Sequence, residues 1–285
     1  MSIDRNRNDS ILNDTLSIIS KGHYNISDRI VVLKEPRERL ISVLALSPEE
    51  VYDIIDAVAR REPSPSRQRC YVHVEEKDSF EMASDMMKSA PKEQKKICVL
   101  NFANPITPGG GVRRGARAQE ETLCLRSSLL YSLESQEAVD YYHYNRSCSF
   151  RGSDAMILSP YVSVFKDCNY NYLQEDFTVA VLTVAAPMVS PISHRLEDVT
   201  EKKMENILRL RILSILSVAI YFGYDRLVLG AWGCGAFGND ARVISRLFKE
   251  VLQDVNADTH FKEVCFAILA HRDPYNLECF RECFT

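Results

Sequence analysis

The stretch LNFANPITPGGGVRRGARAQEETLCLRSSLL, residues 100–130, decides how the chain folds. It closes an apolar run at 97–102, halts it with Pro105 and Pro108, sets three glycines in succession and opens a helix-period segment near Gln119. A strand, a glycine loop and a helix in that order belong to α/β architecture, where ligands sit at the carboxyl ends of strands. Three successive residues without Cβ let backbone N–H groups converge on one concavity, a geometry suited to phosphate or ribose oxygens. A flexible surface turn is the competing reading.

Glycine usage along the whole chain supports the cradle. Among 285 residues there are 11 glycines, where average usage gives about 20. Eight of the 11 lie in two windows: Gly109, Gly110, Gly111 and Gly115, then Gly230, Gly233, Gly235 and Gly238. A chain so sparing of glycine places it where backbone shape or close ligand approach requires it.

The first window runs into Gln119-Glu120-Glu121. Acids at a helix start complement the macrodipole, worth about 0.3–1 kcal/mol each. Beside a ligand cradle a second role opens, because a carboxyl group in a partly dry pocket has its pKa raised and can deliver a proton. Adjacent side chains on a helix diverge by about 100°, so the two acids are expected to do different jobs. Arg113, Arg114 and Arg117, with Arg126 beyond, make a local positive patch suited to a phosphorylated ligand. Solvated loop charge is the alternative for any one of them. No Lys-Ser or Lys-Thr follows, so this is not a Walker loop.

In the second window Gly233-Cys234-Gly235-Ala236-Phe237-Gly238 matches GxGxxG between a strand and a helix. A dinucleotide fold needs several further strands and an acid ending the next one. One helix and one strand follow here, with Asp273 the nearest acid. A second phosphate loop facing the first fits better, with Phe237 free to pack on a ribose or ring. Trp232 reads as a packing residue, and Asn239-Asp240 as a helix N-cap.

Further strands are expected at 30–33, 70–74, 155–158, 179–184, 227–229 and 264–269, and helices at 9–21, 48–58, 80–88, 119–133, 201–222 and 241–255. The order implies helices on both faces of a mixed or parallel sheet. Residues 60–69, RREPSPSRQR, read as a solvated loop. A net charge of −4 excludes a general nucleic-acid coating role. Nine scattered cysteines without a CxxC pair, and six dispersed histidines, predict free thiols and no metal site. No secretory leader or bilayer-spanning run is read, which predicts an intracellular, cytoplasmic protein, or a nuclear one in a eukaryote, without membrane association.

Two strand-to-glycine-loop junctions around a Gln-Glu-Glu helix start resemble the macrodomain-type poly(ADP-ribose) glycohydrolases of the bacterial, or microbial, branch. Their signature is a triple glycine followed after a short interval by Gln-Glu-Glu, here Gly109-Gly110-Gly111 and Gln119-Glu120-Glu121. DTLSIISKGHY at 14–24, SPYVSVFKD at 159–167, VAAP at 184–187 and LVLGAWGCGAFGND at 227–240 extend the likeness over most of the chain. The resemblance implies a three-layer α/β/α macrodomain-like mixed sheet. It implies one catalytic domain over 1–285, with 1–69 a helical extension packed on a core at 70–285.

It further implies hydrolysis of the ribose–ribose O-glycosidic bonds of poly(ADP-ribose), free or on protein, with ADP-ribose as product and neither metal nor cofactor. Glu121 would be the catalytic acid and base, and Glu120 would hold ribose hydroxyls. Gly109, Gly110 and Gly111 would wrap the ribose and diphosphate, Asn104 would contact ribose, and Val112 and Gln119 would join the substrate-binding set; Gly233, Cys234, Gly235, Ala236 and Gly238 would bind the diphosphate, and Phe237 would order the ribose being cut. Rival readings are an ADP-ribose reader without turnover, a hydrolase of single ADP-ribose groups on protein or nucleic acid, and an NAD-dependent oxidoreductase.

Overall fold

The computed structural model describes residues 2–61, 69–89, 96–148, 151–189, 200–270 and 274–285. The expected loop at 60–69 therefore lies mostly outside the described residues. The chain opens with helix α1 (Ser2–Lys21) and a small hairpin of β1 (His23–Ile26) and β2 (Arg29–Val32). The main sheet has seven strands: β3 (Leu44–Leu46), β4 (Tyr71–Glu75), β5 (Ile97–Phe102), β6 (Met156–Lys166), β7 (Tyr172–Val184), β8 (Arg226–Leu229) and β9 (Glu263–Ala267). Their spatial order is β3-β6-β7-β5-β8-β9-β4. Strands β7, β5, β8, β9 and β4 run parallel, so their carboxyl ends share one edge; β6 runs against its neighbours.

Alternation along the central strands sends side chains to two cores. Cys98, Leu100, Leu227 and Leu229 face one helical layer, formed by α2 (Pro48–Ala59), α7 (Glu201–Tyr221), α8 (Ala241–Asp254) and α9 (Tyr275–Phe284). Ile97, Val99, Val228 and Cys265 face the other, formed by α3 (Ser79–Ser89), α4 (Gln119–Arg126), α5 (Leu129–Leu133) and α6 (Val139–Arg146), with α1 outside them. The mixed α/β sheet covered on both faces agrees with the expected class. Strand β3 and helix α2, read from sequence as part of the extension, are built into the sheet and its helical layer.

Three differences from the sequence reading have local causes. The helix expected over 119–133 breaks at Ser127, which is extended (φ −149, ψ −179) and bridges to Val164 of β6. Ser128 completes the break: its N–H donates to Ser163 O, and its hydroxyl accepts from the Ser163 N–H. Serine side chains compete with helical backbone bonds in this way. Second, β6 and β7 form a longer hairpin than expected because the chain passes Pro160 through a register shift between Ser159 and Val162. Third, α6 and α9 were unforeseen. Tyr, His and Asn are weak helix formers in α6, whereas α9 does carry a signal in Leu277, Phe280 and Phe284.

A buried ion pair anchors the end of β7. Arg211 of α7 is 2% exposed and donates to Asp154, to Arg151 O and to Ala185 O at 2.9–3.0 Å. It holds the VAAP segment against the sheet. Arg211→Met is expected to lower unfolding free energy by about 3 kcal/mol, since breaking a buried pair leaves its partner uncompensated. Urea denaturation measures this, and a loss below about 1 kcal/mol, the range of exposed pairs, contradicts it.

Candidate active site

The carboxyl edge of the parallel strands opens into a cavity of about 540 Å³. Each parallel strand sends its following residues there: Ser79 after β4, Asn104 after β5, Ala186 after β7, Trp232 after β8 and Ile268 after β9. Helix α4 enters from one side, bringing Gln119, Glu120 and Glu121.

Both acids are buried and held by backbone. Glu121 accepts from Gly111 N–H at 2.7 Å and from Ala118 N–H at 2.8 Å. The second contact is the helix's third residue reaching back to its N-cap, here an alanine that offers no side-chain acceptor of its own. Glu120 accepts from Asn104 N–H at 2.7 Å and from the Asn101 amide at 3.4 Å. Burial pushes the Glu120 pKa from 4.5 up to about 8; the Asn104 and Asn101 donors oppose that rise, and the Glu121 charge adds to it. Gln119 is stitched to β5, accepting from Phe102 N–H and donating to Leu100 O and Ser79 Oγ.

The triple glycine serves these acids more than it presents an open cradle. Gly109 and Gly110 adopt φ of +64 and +59. A methyl on Gly110 would collide with Glu121 Oε1 and lie 2.9 Å from Glu120 Oε2. Three of the loop's N–H groups are already taken: Gly110 by Thr107 O, Gly111 by Glu121 and Val112 by Gly109 O. Gly109, Gly110, Gly111 and Val112 consequently stand behind the carboxylates, and they are absent from the cavity wall, unlike Asn104, Gln119, Glu120 and Glu121. The Asn104 side chain accepts from Ile106 and Thr107 N–H, closing the turn after the strand.

The second window behaves differently. Asn239 donates to Pro187 O and Gly233 O, and Val189 N–H donates to Phe237 O, fixing the loop against the end of β7. Among the described residues, the N–H groups of Gly235, Ala236 and Phe237 have no protein acceptor, and all three residues line the cavity with Gly233. Cys234 and Gly238 do not line it; Gly238, at φ +73, packs against Val189 O. Trp232 is fully buried with its indole N–H on Val184 O, and Asp240 caps α8.

The expected arginine patch is largely spent elsewhere. Arg113 ion-pairs with Glu134, and Arg126 is buried against Asp78 at 2.8 Å; of the four, Arg117 lines the cavity. The opposite lobe, with Lys77, Asp78, Leu269 and Asn276, went unnoticed in the sequence. Its residues follow β4 and β9, so the strand-end rule applied to every parallel strand would have found most of it. Asp78, Glu81 and Cys168 bring possible ligand atoms within 4.8 Å of one another. Asp78 Oδ1 accepts from Arg126 and from the Phe80 and Glu81 N–H groups that start α3.

Residues 13–167 match the family described as microbial-type PARG (poly(ADP-ribose) glycohydrolase), catalytic domain. Among solved structures, the Thermomonospora curvata poly(ADP-ribose) glycohydrolase is 29% identical over 100% of both chains, with a TM-score of 0.87. The same enzyme bound to the inhibitor ADP-HPD matches at 29% identity over 100% of both chains, TM-score 0.84. The Deinococcus radiodurans enzyme in complex with ADP-ribose is 33% identical over 88% of this chain and 98% of its own, TM-score 0.79. No curated protein matches the sequence. No described helix is long and apolar enough to cross a membrane.

The Glu120 shift has a sign that can be tested. A carboxyl whose folded pKa lies above its unfolded one keeps its proton in the native state, so its contribution to stability falls as pH rises from about 4.5 to about 8. Glu120→Gln, which mimics the neutral acid, is expected to lack this loss. The melting temperature of the variant relative to wild type should therefore climb across that window. A difference independent of pH contradicts the assignment.

Proposed function

The chain belongs to the microbial-type poly(ADP-ribose) glycohydrolase family, and we propose that it hydrolyses the ribose–ribose O-glycosidic bonds of poly(ADP-ribose) with Glu121 as acid and base. It is a hydrolase of the glycosidase class, and ADP-ribose is the expected product. The observation that carries the reading is the fixing of Glu121 by two backbone N–H groups at the cavity wall, in the same cavity as a loop with three N–H groups unengaged among the described residues. The first feature orients a proton-transfer group; the second suits a diphosphate.

Cleavage of such a bond passes through an oxocarbenium-like transition state, which needs a proton on the departing oxygen and a base for the incoming water. Glu121 gives the first proton and then accepts the second. Each of its oxygens spends one lone pair on backbone and keeps another for the reaction. Two-carboxylate glycosidases set their acids about 5–10 Å apart across the bond. Here one methyl on Gly110 would touch an oxygen of each acid, so both stand on the same side. That favours a single catalytic acid, with Glu120 holding ribose hydroxyls, Phe237 packing on the ribose, and the ligand's diphosphate countering the developing cation.

The same reading makes the described chain one catalytic unit, since β3 and α2 complete the sheet while α1 packs on α4. Its substrate class is the polymer, including polymer carried on protein. Glu121→Gln is expected to lower ADP-ribose release from polymer by at least about a hundredfold, within the range for loss of a proton-transfer group. Binding of ADP-ribose by calorimetry should change little. Turnover comparable to wild type contradicts the role.

A further inference from the structure

Helix α1 packs against the glycine loop and hydrogen-bonds to it through Asn8. Asn8 is fully buried, although it lies 107 residues from the segment it touches. Its amide nitrogen donates to Gly115 O at 3.0 Å. Its amide oxygen accepts from Arg117 Nε at 3.0 Å and Nη2 at 2.8 Å. A guanidinium only donates, so the orientation of the amide is set by its partner. One side chain thus ties both ends of the tripeptide 115–117, and the next residue, Ala118, supplies one of the two N–H groups that orient Glu121.

Docking of α1 has its own anchors further along the helix. Thr15 donates to Leu125 O at 2.7 Å, and Lys166 reaches Thr15 Oγ1 and Ile11 O. Leu12 and Ile18 are buried beneath it. Those contacts hold the helix in place; the polar atoms of Asn8 are spent on the catalytic loop. Gly115 is left-handed, with φ +81, a conformation in which flanking contacts define where the chain goes next. Arg117 and Ala118 both line the cavity.

We propose that Asn8 is a positioning residue for the reaction, setting the 115–118 backbone so that the Ala118 N–H meets Glu121, and directing Arg117 toward the bound ligand. The proposal rests on the reading of Glu121 given above. Its two hydrogen-bonding functions separate by substitution. Asn8→Asp keeps the shape and the acceptor for Arg117 but loses the donor to Gly115 O. Asn8→Ala loses both.

Steady-state kinetics on poly(ADP-ribose) with the full chain, together with melting temperatures, test this. Asn8→Asp is expected to lower kcat by about ten- to a hundredfold with little change in KM, the scale of a small misplacement of a reacting group. Asn8→Ala should lower kcat similarly and raise KM as well. Tyr24→Phe, which removes a buried bond from the same amino-terminal region to Leu173 O, should lower the melting temperature without changing kcat. Wild-type kcat in the Asn8 variants, or losses that only track melting temperature as in Tyr24→Phe, overturn the proposal. A wild type that releases no ADP-ribose sinks the functional reading alone. The inference is then judged by amide exchange at Ala118, which Asn8→Asp must speed about tenfold or more; an unchanged rate overturns it. Because the aspartate is isosteric, this arm does not depend on the alanine variant folding.

Discussion

Two adjacent carboxyl groups buried at the start of one helix impose the constraint on which the site depends. A buried carboxylate without donors is expensive, and a helix start supplies only the N–H groups that its own first turn leaves over. Glu121 takes the Ala118 N–H from that turn and must find its second donor elsewhere, at Gly111. Glu120 finds its donors on the end of β5, at Asn104 and Asn101. The loop between strand and helix is therefore folded back over the acids, and Gly110 is glycine because any Cβ there would strike them.

From this constraint the rest of the machinery follows outward. The loop can fold back only if its departure from β5 is fixed, which the Asn104 side chain does by capping Ile106 and Thr107. Its return to α4 is fixed at Gly115–Arg117 by Asn8 from the far end of the chain. Gln119 laces the helix start to the edge of β5. Ser127 and Ser128 end α4 early and join it to β6. Helix α4 is thus held to the sheet at both ends, which suits a helix whose first turn is proposed to carry the chemistry.

Much of this was legible in the sequence, and the parts that were not share a physical cause. Strands β5 and β8, the loops after them and the helix start at Gln119 were readable because apolar runs, proline and glycine act locally. The placement of both windows at one sheet edge followed from the strand-end rule. The destination of the first loop's N–H groups was not readable, because it depends on where two glutamate side chains point after the chain has closed. The same holds for Arg126, which reads in the sequence as part of a positive patch and is buried against Asp78. Pro160 concealed the length of the β6–β7 hairpin, since a bulge can be seen only in the pairing. Asn8 carried no local signal: an asparagine within a polar helix gains its meaning from Gly115, more than a hundred residues away.

The two glycine windows, alike in composition, are assigned opposite duties: the first satisfies the protein's own acids, while the second offers its N–H groups to a ligand. Residue-resolved amide hydrogen exchange, with and without ADP-ribose, tests that division most directly. The account predicts that the Gly110, Gly111 and Val112 amides are protected in the free protein and change little on binding. The Gly235, Ala236 and Phe237 amides should exchange freely until ADP-ribose slows them. Fast exchange at 110–112 that ligand abolishes, with no effect at 235–237, would contradict it.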